Sequence, residues 1–153
     1  KRSNVPGMRS GFVAGDAQIL KKFLLYRTYH GCAMAPPVQT ASVAAWNDEA
    51  HVLDNRNQYR EKFAACTPLV GEVLGTGMPD ASFYLWARTP VPDTDFARGL
   101  LEHYNVVVLP GSFLAREAWG VNPGADFVRI ALVASLAECL DAADRIRQFA
   151  KQL

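Results

Sequence analysis

Lys1-Arg2-Ser3-Asn4-Val5-Pro6-Gly7-Met8-Arg9-Ser10-Gly11 is the stretch from which the rest of the chain can be read. It sets two cations, Lys1 and Arg9, eight positions apart. Pro6 restricts the backbone between them, while Gly7 and Gly11 loosen it. Such a segment can bend Lys1 and Arg9 toward one concave site instead of running as a regular helix or strand. A lysine that attacks carbonyls needs an anion-binding partner close by, and arginine suits a phosphate. A basic, flexible terminal segment accounts for these residues equally well, so the later segments decide.

Composition narrows the field. With 153 residues, half of them hydrophobic and a fifth charged, the chain suits one domain or part of a larger one. A net charge of +1 gives no general nucleic-acid or membrane surface. No apolar run approaches the ~20 residues of a spanning helix, and no charged-then-apolar leader is present. Cys32, Cys66 and Cys139 are widely spaced without a CxxC pair, so we expect them reduced and buried in a cytoplasmic protein. His30, His51 and His103 lack metal-ligand spacing, and no metal is expected. A chain that opens on a motif lysine reads as a piece of a longer polypeptide.

Further along, Gly11 to Gly15 is short and apolar and predicts a strand. Asp16 then caps a helix with Ile19, Phe23 and Tyr26 on one face and Lys21 and Lys22 on the other. Tyr26, Tyr29 and His30 could line a site, but aromatic residues at this spacing are more often core. Gly31 and Pro36-Pro37 break the chain before a second helix from Val38 to Trp46. Asp48 caps a long third helix in which Val52, Tyr59, Phe63, Cys66 and Val70 recur at helical steps, with a kink or fresh start at Pro68. Arg56, Arg60, Glu61 and Lys62 form its wet face, and His51 is structural.

A turn at residues 75–79 leads to a strand over 81–87. A helix capped by Asp93 or Thr94 follows and closes at Asn105, and a buried strand covers Val106 to Leu109. Strand, helix, strand predicts an α/β unit with helices against a sheet. Pro110-Gly111 turns into an irregular loop containing Gly120, Asn122, Pro123 and Gly124, and an apolar strand from Phe127 to Val133 carries a single arginine, Arg129. A buried arginine without an anion is costly, so Arg129 either faces water or meets a carboxylate. Ser135-Leu136-Ala137-Glu138 is a capping box that opens a terminal helix burying Leu136, Leu140, Ala143, Ile146 and Phe149.

Lys1, Gly7, Arg9 and Gly11 resemble the lysine motif of the class I/II pyridoxal-phosphate aminotransferases, although Ser10 stands where that family usually has an apolar residue. The resemblance implies that Lys1 forms the Schiff base with pyridoxal 5'-phosphate and that Arg9 holds its phosphate. The Pro110-Gly111 turn and the strand after it also resemble this family, which implies that Arg129 binds the substrate α-carboxylate through two parallel hydrogen bonds. Residues 109–118 and 120–124 are similar to the succinyldiaminopimelate aminotransferases within it, as are residues 1–7 and 12–16.

The implied fold is α/β, the C-terminal portion of the aspartate-aminotransferase-type fold, with a small domain whose sheet is covered by helices. Residues 1–45 would end the large cofactor-binding domain, 46–75 form the connecting helix, and 76–153 the small domain. The implied reaction moves an amino group between N-succinyl-diaminopimelate and 2-oxoglutarate in lysine biosynthesis, with Arg116 a guess for the succinyl end. Implied partners are these amino-acid and 2-oxo-acid substrates, the upstream part of the same enzyme, and a second copy in a homodimer. Two alternatives stay open: a non-catalytic C-terminal domain or interaction fragment, and a related pyridoxal-phosphate lyase or synthase, which the same lysine and arginines would serve equally well.

Overall fold

Asp16 sits where the chain leaves an irregular segment, and its Oδ1 accepts hydrogen bonds from the backbone N–H groups of Gln18 and Ile19 at 2.9 and 3.0 Å. That cap starts α1 (Ala17–His30) in a computed structural model that describes residues 1–153. Pro36 and Pro37 then open α2 (Pro36–Asn47), a position where the missing proline N–H costs nothing. Asp48 accepts from the Ala50 N–H at the start of α3 (Ala50–Leu74). The chain divides into two units, Lys1–Arg56 and Asn57–Leu153.

In the first unit the opening segment is two successive turns. The Asn4 N–H donates to the Lys1 carbonyl, and a 3-10 turn at Pro6–Met8 ends on Arg9 in the left-handed region at φ 52°. The strand expected at 11–15 is absent: Phe12 and Val13 are exposed irregular chain. A strand needs a neighbour for its peptide groups, and residues 1–56 supply none. Neither α1 nor α2 buries a single residue. Tyr26 and Tyr29 are therefore not core, contrary to the expectation from their spacing; Tyr26 instead stacks on His30 at 4.5 Å. Cys32, expected to be buried, is exposed.

The second unit holds the core. Phe63, Cys66, Val70 and Leu74 of α3 meet β1 (Tyr84–Arg88), α4 (Asp93–Tyr104), β2 (Leu109–Pro110), β3 (Phe127–Ala131) and α5 (Leu136–Ala150). α3 runs on through Pro68 with no fresh start. The proline ring displaces the bond to the Ala64 carbonyl, and both residues are exposed, so water can take the bond's place. The strands form one antiparallel sheet in the order β1-β3-β2, with Trp86 opposite Arg129 and Leu109 opposite the same residue. Leu85, Ala87, Val128 and Ile130 point into the core; Trp86, Arg88, Phe127 and Arg129 alternate onto the other face.

Two local details differ from the sequence reading. β2 is two residues long, because residues 106–108 find no strand beside them and Val107 is exposed. Asp93 is the first residue of α4 and does not cap it; the N-cap is Pro92. The helix closes as expected on Asn105, in the left-handed region at φ 53°. The Ser135–Glu138 capping box forms in full at the start of α5. Burial, with the neighbouring Cys139, pushes the Cys66 thiol up to about 11.

Gly111 is fixed by space. A Cβ there would stand 2.4 Å from the Gly124 carbonyl oxygen and 2.8 Å from that of Phe127. Both obstacles are backbone, which cannot swing aside. Gly111→Ala should lower stability by about 1–3 kcal/mol, the usual overpacking range, read as a lower urea midpoint of the intact protein. Gly77→Ala, with nothing within 4 Å of the added methyl, should leave the midpoint in place. Equal midpoints for the two variants would refute the packing account.

Candidate active site

The opening loop lies along α2 and encloses a cleft of about 330 Å³ lined by Lys1, Arg2, Ser3, Ser42 and Trp46 among others. Arg2 supplies the main tie. Its guanidinium donates to the Ala45 carbonyl at 2.9 Å, pairs with Glu49, and lies 4.5 Å from the centre of the Trp46 ring. Ser10 and Ser42 hydroxyls are 2.6 Å apart, and Phe12 meets Trp46 edge-on at 5.6 Å. Lys1 therefore lines a concave surface, as the turn-rich sequence predicts. Arg9 is on the same loop but outside the cleft lining; its side chain bonds only to the Pro6 carbonyl, at 3.2 Å, and forms no ion pair. An exposed guanidinium with no acidic neighbour keeps most of its donors for an anion.

Arg129 is the notable residue of the second unit. Its strand face carries Trp86 and Phe127, stacked at 5.7 Å with 13° between planes, and its guanidinium carbon is 5.5 Å from the Tyr84 ring centre. Nε is shielded from solvent and has no hydrogen-bond partner, and no carboxylate pairs with the side chain. Arg129 lies on the sheet face turned away from the core, where it is half-buried beside aromatic rings. A partly desolvated guanidinium with an unpaired Nε is chemically suited to pair with a carboxylate.

The loop that leads to Arg129 is held from both ends. The Ser112 N–H donates to the buried Asp93 carboxylate at 2.8 Å. Burial opposes ionisation of Asp93, but hydrogen bonds from Ser112 and from the Asp126 and Asp93 backbone outweigh it and hold the carboxyl below its usual range. Asn122 donates to the Ser112 carbonyl at 3.1 Å and accepts from the Gly124 N–H at 2.9 Å. Between these anchors Ala118 and Val121 bridge around a left-handed Trp119-Gly120 pair, and Trp119 is fully exposed. Arg116 is exposed on the same loop. The roles of Asp93 and Arg2 were not read from the sequence. The only available signal for Arg2 was its place next to Lys1.

No helix is long and apolar enough to cross a membrane, and no group of three or more His, Cys, Asp or Glu converges on one point. The sequence pattern of the aminotransferase class I and II family matches residues 1–146. A probable aminotransferase of Mycobacterium tuberculosis is 38% identical over 136 residues, covering 88% of this chain and 31% of that protein. A crystal structure of an aminotransferase from Neisseria meningitidis superposes with a TM-score of 0.82 at 57% identity, covering 96% of this chain and 38% of the other. A probable N-succinyldiaminopimelate aminotransferase from Thermus thermophilus superposes at 0.79 with 32% identity, covering 97% and 39%. The chain thus spans between about three and four tenths of the length of these proteins.

Proposed function

The chain belongs to the class I and II aminotransferases, and on that premise we propose that its protein transfers an amino group between an amino acid and a 2-oxo acid. The family is pyridoxal-phosphate-dependent, and the residues present fit that cofactor: a lysine amine at the cleft and an arginine without a counter-charge on the same loop. Pyridoxal phosphate supplies an electron sink for charge that develops at the substrate α-carbon. Lys1 would hold it through Nζ, and Arg9 would face its phosphate.

The observation that carries the reading is Arg129, whose shielded Nε has no partner. Its flat fork would take the substrate α-carboxylate in two parallel hydrogen bonds, and the rings beside it would fix the guanidinium plane. On the same reading, Lys1 Nζ would move a proton at the substrate α-carbon as general base and then acid. The remainder of the cofactor pocket would come from the upstream part of the same enzyme. The exposed apolar side chains of α1, Ile19, Leu24 and Leu25 among them, support such a covering. We extend the proposal to a cytoplasmic homodimer in which residues 1–45 end the large domain, 46–75 connect, and 76–153 form the small domain.

For the substrate we propose N-succinyl-diaminopimelate with 2-oxoglutarate as acceptor, on the route to lysine. Similarity to the Thermus protein supports it. Arg116, exposed on the loop before Trp119, would meet the distal succinyl carboxylate. The test is a panel of amino donors with the intact enzyme, measuring glutamate formed from 2-oxoglutarate. Higher kcat/KM for the succinylated donor than for alanine, aspartate or free diaminopimelate is expected. Preference for an unsuccinylated donor would overturn the substrate, and product formed equally well without a 2-oxo acid would overturn amino transfer itself.

A further inference from the structure

Arg2 is held more firmly than an exposed loop residue has reason to be. Its side chain keeps only 19% of its accessible surface. Three different contacts immobilise it: the Ala45 carbonyl at 2.9 Å, the Glu49 carboxylate, and the Trp46 ring at 4.5 Å. A surface ion pair alone contributes little. Here the pair is joined by a charge-assisted bond to a backbone carbonyl near the end of α2 and by a guanidinium–indole contact. The acceptors are spaced along one stretch, at positions 45, 46 and 49, so all three constrain the same planar group.

The loop has a second attachment on the same helix. Ser10 meets Ser42, which itself donates to the Val38 carbonyl, and Phe12 packs on the Trp46 ring that Arg2 covers. Between these two attachments the chain turns twice, and the backbone hydrogen bonds of those turns stay within the segment itself. Lys1 stands outside the span, directly beside the Arg2 end, with its Cα about 3.8 Å from that of Arg2 across one peptide. Whatever fixes Arg2 fixes the direction from which the Lys1 side chain leaves the backbone.

We propose that Arg2 is a positioning residue: by locking the loop to the end of α2 it sets where Lys1 Nζ stands relative to the cofactor and the substrate α-carbon. This rests on the reading of Lys1 as the cofactor lysine. The geometry favours arginine over lysine at position 2, because only a planar guanidinium can bond a carbonyl and a carboxylate while lying against an indole. Glu49 and Trp46 then belong to the same device, since each orients one aspect of the guanidinium.

The test uses the intact enzyme with Arg2→Ala, Arg2→Lys and Glu49→Gln. Readouts are kcat, KM for the amino donor, the pH midpoint of the bound cofactor's absorbance change, and the site labelled after borohydride reduction. Arg2→Ala should lower kcat by about 10- to 100-fold, the scale of an ångström-level misplacement, with KM changed little and the absorbance midpoint displaced. Arg2→Lys should recover part of the loss, and Glu49→Gln, which leaves the carbonyl and indole contacts in place, should shift the midpoint in the same direction by less. If Arg2→Ala proves unstable, the lysine and glutamine variants carry the test alone. Loss of activity only in proportion to unfolded protein, with the midpoint unmoved, would overturn the proposal. Failure of the wild-type enzyme to label at Lys1 would instead overturn the cofactor-lysine reading, and the positioning role with it.

Discussion

Arg129→Ala should raise KM for the amino-acid substrate far more than it lowers the protein's stability. Removing one partner of a desolvated, hydrogen-bonded charge pair costs about 2–5 kcal/mol, which is about 30-fold to several thousandfold in kcat/KM at ~1.4 kcal/mol per decade. The loss should appear for both amino donors and 2-oxo acids, since both present the same carboxylate. Arg129→Lys keeps the charge but loses the fork, and should recover less than about a tenth of the lost efficiency. Stability should barely move, because Arg129 has no ion pair and lies on the sheet face turned away from the core. The decisive comparison is steady-state kinetics beside a thermal melt. An unchanged kcat/KM at an unchanged melting temperature would remove Arg129 from the site.

Lys1→Ala should have the larger effect on turnover. General acid–base participation is worth about 10²–10⁴ in rate, and if Lys1 carries the cofactor as proposed this variant also loses its covalent attachment, so kcat should fall by about 10⁴ or more. Borohydride treatment of the wild type should leave the cofactor on Lys1, and the variant should leave none there. Lys1→Arg tests charge against chemistry: it preserves a cation beside the cleft yet cannot supply a neutral amine at working pH, so it should be as inactive as alanine. Retention of a tenth of wild-type turnover by either variant would assign the proton transfer to another group. This effect is separable from that of Arg129, which acts on binding, and combining the two variants should produce no binding defect beyond that of Arg129→Ala.

Much of this was legible because it depends on short-range chemistry. Asp16 caps α1, Ser135 and Glu138 close a box at α5, and Asn105 ends α4 in the left-handed region; in each case a side chain or a φ preference acts within a few residues. The core positions Phe63, Cys66 and Val70 of α3 and Ala143, Ile146 and Phe149 of α5 were readable from helical spacing. Arg129 was legible as the one charge in an apolar strand. What failed depended on distant partners. Residues 11–15 and 106–108 have strand-like composition, but a strand exists only where another offers its peptide groups. The apolar residues of α1 looked like core, yet periodicity states that a face is apolar and says nothing of what covers it. The sequence offers Asp93 or Thr94 as the cap of α4, because the reach of Asp93 to Ser112, 19 residues on, has no local signature. Arg2 escaped notice for the same reason, its contacts lying more than 40 residues away.

The contact between Gly111 and Gly124 separates what can vary from what cannot. Adding a methyl to either one brings it within 2.4 Å of the other's carbonyl oxygen, so the two backbones stand against each other like the closed neck of a bag. Residues 113–121 hang beyond that neck, while the strand bearing Arg129 begins on the near side of it. The loop's contents can therefore drift in sequence, trading an arginine or an exposed tryptophan for something else, without disturbing the strand that holds Arg129. If Arg129 holds the substrate carboxylate as proposed, a lineage could retune the distal group it accepts while every descendant kept the same grip.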